Sequence, residues 1–324
     1  MLHSPLVTRA LNAFEERAGQ TVLYRKRDFR ISDLVDFLFH TDDLSRTVLW
    51  TSQVDGARFI VPVDPCFPRP HPRNDPWGPA TYWRRVDNRK IRQFYELFLR
   101  RHAGGTFLDV GANWGMHTYP FAAAGYQCVC FEPQSICCAF IRRMCGLNGF
   151  TNVTIAEHVV GAERQAAVPF FESEVEAFSS LDEQHVARYQ RPWLRRVVEC
   201  ATLDAYCAAR GLAPTFIKID TEGFEWEVLQ GGAAMLREHK PGLLIEVSSS
   251  REKQQAMWDW SESLDYRCYA IQRTLRRPYP RQPFALVRTA DEFLAAAAPR
   301  TGIGDVETDA DFIFLQPRED IIAN

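Results

Sequence analysis

The chain has 324 residues, 46% hydrophobic and 24% charged, enough for one large core with an elaborated end. A net charge of −3 and a pI of about 6.3 exclude a surface that holds a nucleic-acid backbone by charge alone. No stretch approaches the roughly 18 unbroken apolar residues of a membrane span, and the opening MLHSPLVTRALNAFEERAG carries acids where a secretory signal is apolar, so a cytoplasmic protein without membrane insertion is expected.

Residues 1 to about 60 combine a short helical pattern, DLVDFLF, with Leu34, Phe37 and Leu38 on one face, and a hairpin signal. VLWTSQ and ARFIVPV flank Val54-Asp55-Gly56, whose Asp-Gly suits a tight turn. From Pro62 to Pro79 the proline density excludes helix and central strand. That stretch reads as an extended covering segment, either a linker or, with Trp77 and several arginines, the lining of a substrate entrance. NRKIRQFYELFLRR, residues 88–101, then puts Ile91, Phe94, Tyr95, Phe98 and Leu99 on one helical stripe, and Gly104-Gly105 ends it. The expected division is an N-terminal extension over 1–87 and a main domain over 88–324.

Strands and helices alternate from there on. TFLDV (106–110) leads into a helix through Phe121, and QCVCFE (127–132) into a helix from Pro133 to about Leu147. VTIAEHVV (153–160) leads into a polar, strand-like insertion, AAVPFFES, followed by VVECATLDAYCAARG. TFIKID (215–220) precedes one helix, FEWEVLQGGAAMLREH; GLLIEVS (242–248) precedes REKQQAMWDWSES; the strands YRCYAI and DFIFLQP come last. Such alternation predicts an α/β fold with a mostly parallel, Rossmann-like sheet, an antiparallel C-terminal strand and helices on both faces. Ligands of such sheets sit at the carboxyl ends of the strands, where the strand order reverses.

The nine cysteines include no CxxC pair and no zinc-type histidine spacing, so reduced, buried thiols are expected and no metal ligands are assigned.

GTFLDVGANWGMHT (105–118) turns from strand to helix, where free amides and the helix dipole attract nucleotide-like ligands. The run Gly111-Ala112-Asn113-Trp114-Gly115 lacks the middle glycine of a dinucleotide fingerprint, and Met116 and His117 stand where a P-loop needs Lys-Ser/Thr. What remains is an acid, Asp109, at the first strand end and another, Glu132, at the second. A carboxylate at the second position suits the two ribose hydroxyls, and one at the first suits a cationic amino-acid ligand. Together they fit S-adenosyl-L-methionine; the alternative is an Asp-x-Gly that only shapes the turn.

The ordered blocks FLDVGANWGMHT, VCFEPQ, TLDAYC, FIKIDTEGFEWEVLQGG, KPGLLIEV and DFIFLQP, over roughly residues 91 to 317, resemble the FkbM family of S-adenosylmethionine-dependent methyltransferases. The resemblance implies the class I methyltransferase fold and O-methylation of sugar, glycan or polyketide-type hydroxyls. It places Asp109, Gly111, Asn113 and Gly115 around the methionine moiety, Glu132 with Pro133 on the ribose, and Asp220, Glu222 and Gly223 beside the transferred methyl. The proline-dense run departs from the family pattern and bears on the acceptor pocket rather than on the cofactor site.

Methylating an alcohol needs help removing its proton. Asp220 and Glu222, with Glu246 nearby, are candidates either for a general base or for holding a divalent cation such as magnesium. Asp220 interrupts an apolar strand at its active end, whereas Glu222, Glu225 and Glu227 also suit a helix first turn electrostatically. His117 is a third proton acceptor to consider. Lys218, inside FIKID, needs an acidic partner, for which Glu246 is the expected candidate. Ser179 and Ser180 could reach cofactor or acceptor, or form a polar turn. An adenine-N or cytosine-C nucleic-acid enzyme is excluded by Asp220-Thr221-Glu222-Gly223, which offers neither Pro-Pro-aromatic nor Pro-Cys. A non-catalytic S-adenosylmethionine-binding protein and a small-molecule N-methyltransferase are the alternatives kept.

Overall fold

The computed structural model describes residues 49–54, 57–62, 86–173, 179–187, 190, 192–247, 249–271, 284–298, 300–301, 307–308 and 310–323. The DLVDFLF helix and nearly all of the proline-dense run lie outside these residues.

The described chain begins with a hairpin, β1 (Leu49–Val54) and β2 (Ala57–Pro62), whose register pairs Val54 with Ala57 and leaves a two-residue connection, as the Asp-Gly signal predicts. Helix α1 (Val86–Arg101) follows, then β3 (Thr106–Val110), α2 (Thr118–Ala123), β4 (Gln127–Phe131), α3 (Ser135–Asn148) and β5 (Val153–Ala156). An insertion contributes β6 (Val159–Val160), β7 (Gln165–Ser173), α4 (Glu183–Ala187) and β8 (Trp193–Ala201). Then come α5 (Leu203–Arg210), β9 (Phe216–Ile219), α6 (Glu225–Gly231), α7 (Ala233–His239), β10 (Gly242–Val247) and α8 (Arg251–Ser263). The chain closes with β11 (Arg267–Ile271), β12 (Phe284–Val287), α9 (Ala290–Ala296), the short pair β13 (Arg300–Thr301) and β14 (Glu307–Thr308), and β15 (Ala310–Leu315).

The main sheet has eight strands in the order β12-β11-β15-β10-β9-β3-β4-β5. Pairing is parallel from β5 through β10, while β15 runs antiparallel to β10 and β11, and β12 antiparallel to β11. From β3 the chain moves outward through β4 and β5, then returns to the other side of β3 as β9. The strand order therefore reverses between β3 and β9, which opens the ligand crevice at their carboxyl ends.

Alternate residues of each central strand serve opposite faces. Phe107 joins one core with Phe94 and Phe98 of α1, Phe121 of α2 and Phe216 of β9; its ring stacks on Phe121 at 4.0 Å. Leu108 and Val110 join the other, with Leu203, Val228, Leu236, Trp258 and Phe293 from helices α5 to α9. Each fully buried aliphatic or aromatic side chain contributes about 1.5–3 kcal/mol. The insertion forms its own three-stranded sheet, β6-β8-β7, around a small core of Val159, Val168, Phe170, Val198 and Cys200.

The single helix expected over FEWEVLQGGAAMLREH is two, parted at Gly232. A β-carbon on Gly231 would lie 2.0 Å from the Gly161 carbonyl oxygen, so the insertion's backbone passes where a side chain would project.

Candidate functional site

Asp109 faces the same side of the sheet as Phe107, at the point where the strand order reverses, and is fully buried. Its Oδ2 accepts from Thr118 Oγ1 at 2.6 Å, whereas its Oδ1 is buried with no hydrogen-bond partner among the described residues. Burial raises its pKa, against the Lys218 cation and the Thr118 hydroxyl, which lower it.

The turn after β3 is tied to the end of β4. Gly111 N–H and Ala112 N–H both donate to the Phe131 carbonyl, at 3.0 and 3.1 Å, and Asn113 N–H donates to Glu132 Oε2 at 2.7 Å. Gly115 N–H donates to the Ala112 carbonyl. Four of the amides expected to be free at this strand-to-helix turn are thus engaged, three of them with the end of β4. Gly111, at φ +74°, is required for a second reason: a β-carbon there would fall 1.7 Å from the Asp220 carbonyl oxygen, where the loops after β3 and β9 meet. Asn113 takes the left-handed region at φ 49°, which its side chain tolerates.

Glu132 is buried and held from two sides, Oε2 by the Asn113 amide and Oε1 by the Gln134 amide at 2.8 Å. Burial lifts its pKa to about 7, and the two amides offset part of that effect. Pro133, half-buried, joins it to the buried Gln134.

Lys218 and Asp220 project from the end of β9 on the same face as Asp109. The Lys218 ammonium is buried and bonds Asp220 Oδ2 at 2.7 Å, so its partner is Asp220, two residues along its own strand, rather than the expected Glu246. Glu246 belongs to the same group through a hydrogen bond with the Asp220 carboxyl. Burial works to lower the Lys218 pKa, but Asp220, Asp109 and Glu246 raise it overall. For Asp220, burial works upward, and Lys218 with the Glu246 hydrogen bond brings the carboxyl below its ordinary value. Its side chain stays partly exposed.

His117 precedes α2 and is buried; its Nδ1 hydrogen-bonds Tyr95 Oη of α1 at 2.6 Å. Burial, then the Lys218 cation, push its pKa well down, which holds it neutral.

The loop after β9 carries Glu222 at φ 54° and Gly223 at φ 104°. Ser180 Oγ, from the insertion, donates to the Glu222 carbonyl at 3.3 Å, and Ser179 Oγ accepts from Ser173 N–H. Ser179 thus stays within the insertion, whereas Ser180 reaches the loop that carries Glu222. Glu225, fully buried, accepts at Oε1 from Thr221 N–H, Thr221 Oγ1 and Gly223 N–H. In the sequence it reads as an ordinary first-turn acid. No group of three or more His, Cys, Asp or Glu side chains among the described residues could hold a metal ion, and no described helix is long and apolar enough to cross a membrane.

An unpartnered, fully buried carboxylate oxygen and a second buried carboxylate one strand away suit a ligand with a cationic or donor group and a vicinal diol. Spent turn amides and a lysine engaged with Asp220 do not suit a phosphate.

Residues 109–268 match the methyltransferase FkbM domain. Solved structures similar to the chain include an FkbM methyltransferase from Methylobacillus flagellatus, at 17% identity over 65% of this chain and 44% of that one, with a TM-score of 0.38. They also include a precorrin-6y C5,15-methyltransferase from Geobacter metallireducens, at 12% identity, 71% and 85% coverage and a TM-score of 0.32. A SAM-dependent methyltransferase from Agrobacterium tumefaciens matches at 11% identity, 83% and 70% coverage and a TM-score of 0.41. The chain spans less than half the length of the first of these. No curated protein matches the sequence. The matched segment holds both strand-end acids, the turn between them and the loop after β9, so the similarity to the methyltransferase FkbM domain covers the whole candidate site.

Proposed function

We propose that the chain transfers a methyl group from S-adenosylmethionine to a hydroxyl of a sugar, glycan or polyketide-type small molecule. The observation that carries the reading is the pair of buried carboxylates at adjacent strand ends: Asp109, with one oxygen lacking a partner among the described residues, and Glu132, fixed by two amides. Asp109 would take the methionine moiety and Glu132 the ribose hydroxyls, with Gly111, Asn113 and Gly115 giving the turn its shape and Pro133 following the ribose acid.

When bound, S-adenosylmethionine supplies an electrophilic methyl on a cationic sulfonium. The protein's part is to orient the acceptor and remove its proton; orientation alone is worth on the order of 7–11 kcal/mol for well-placed reactants. Asp220 is the proton acceptor of choice, because it is partly exposed and kept ionised by Lys218. Glu222 stands on the same loop. His117, buried, neutral and bonded to Tyr95, is the third candidate proton acceptor.

Calorimetric titration tests the cofactor half. Wild-type protein should bind S-adenosylmethionine in the micromolar range, and Asp109→Asn and Glu132→Gln should each weaken binding at least about tenfold, or about 1.4 kcal/mol. Folded wild-type protein giving no heat with this ligand or with S-adenosylhomocysteine would overturn the reading. Transfer of labelled methyl to a panel of hydroxyl acceptors, with and without chelator, tests the rest: loss of transfer on chelation would replace the base by a cation.

A further inference from the structure

The loop that carries Asp220 and Glu222 is not shaped by its own sequence. A non-glycine residue is strained in the left-handed region, and Glu222 occupies it at φ 54° directly before Gly223 at φ 104°. Such a conformation persists only where its surroundings impose it. Three neighbours do so here. Ser180 Oγ holds the Glu222 carbonyl from the insertion. Lys253 of α8 donates to the Gly223 carbonyl at 3.3 Å while bridging Glu227 at 2.6 Å. Glu225 makes the densest set, with one carboxylate oxygen gathering Thr221 N–H at 3.2 Å, Thr221 Oγ1 at 3.2 Å and Gly223 N–H at 2.9 Å.

Those three donors bracket Glu222, and the first of them belongs to the residue after Asp220. A buried carboxylate with this many donors is a strong, directional tether. It acts from the first residue of α6, just past the loop.

We propose that Glu225 is the positioning residue of the methyl-transfer loop, setting where Asp220 and Glu222 stand through the reach of its carboxylate rather than through its charge. The inference rests on the methyltransferase reading above. Reach and charge are separable by substitution. Glu225→Asp keeps the charge and shortens the side chain by one methylene, so one oxygen no longer serves all three donors. Glu225→Gln keeps the reach and an acceptor oxygen but removes the charge.

The test compares the affinities of S-adenosylmethionine and S-adenosylhomocysteine by calorimetry, on each full-length variant. The two ligands differ only in the methyl and the sulfonium charge, so their ratio reads the reacting end and not the adenosine end. Glu225→Asp is expected to lower the preference for S-adenosylmethionine at least about fivefold, with S-adenosylhomocysteine affinity within about twofold of wild type. Glu225→Gln should keep the wild-type ratio. An equal or larger shift in Glu225→Gln would make the effect one of charge and overturn the proposal, as would unchanged ratios in both variants. Should Glu225→Asp fail to fold, Thr221→Val, which removes one of the three donors, carries the test: a smaller shift in the same direction supports the proposal and none overturns it. Wild-type protein that binds neither ligand overturns the cofactor reading itself, and the positioning role with it.

Discussion

Glu132 titrates near pH 7 because its carboxylate is buried, and the Asn113 and Gln134 amides restore only part of the lost hydration. The sign of the linkage follows. The folded protein holds the proton more tightly than the unfolded chain, so this group's contribution is fully present below about pH 4.5 and is lost as pH rises through 7. The interval corresponds to roughly 3 kcal/mol. Glu132→Gln removes that charge but sets its NH2 group against one of the two N–H donors, so relative to wild type its unfolding temperature is expected to fall at pH 4 and to compare more favourably at pH 8, by scanning calorimetry. In wild type, S-adenosylmethionine affinity should weaken as pH falls below 7, since a protonated acid accepts fewer hydroxyl donors; in Glu132→Gln the profile should be flat. The positions of Asp109 and Glu132 were legible in the sequence because each follows an apolar run. The Lys218 partner was not, since residues two apart on a strand share a face as readily as neighbours across it. Glu225 escaped because two of its three donors are backbone amides, which carry no sequence signature.

At the scale of elements, the site depends on how closely the loops after β3 and β9 approach. Gly111→Ala would force a β-carbon against the Asp220 carbonyl and hold a left-handed φ without glycine's freedom. A loss on the order of 3 kcal/mol or more is expected, measured by denaturant unfolding, together with loss of S-adenosylmethionine binding. The strands of the main sheet were readable from their apolar runs, and α1 from its stripe. Two features were not. The close passage of Gly161 over Gly231, about seventy residues apart in sequence, and the place of β15 between β10 and β11 are long-range contacts that no local pattern encodes.

Across the whole molecule, the sheet and the helices of one of its faces meet in an aromatic cluster that reaches the site. Phe216 of β9 touches Phe94, Phe98, Phe107 and Phe121, with ring centroids 4.7 to 6.1 Å apart. It lies two residues before Lys218 on the same face. Phe216→Ala should cost about 3–5 kcal/mol in chemical denaturation, with cofactor affinity reduced as well because the cavity lies under the Lys218–Asp220 pair.

The cores on both faces of the sheet, and that of the insertion, enclose the sulfur atoms. Eight described cysteines are free, and all but Cys145 are buried. Burial lifts the thiols of Cys128, Cys130 and Cys268 far above their ordinary value, Cys138 to about 12, and Cys145 and Cys207 to about 11. Since the thiolate is the reactive form, an alkylating reagent at neutral pH meets almost nothing to attack among these described thiols while the chain is closed. Cys128 and Cys130 lie in β4, Cys137 and Cys138 in α3, Cys207 in α5 and Cys268 in β11, so the order in which they take up label would record which layer opens first.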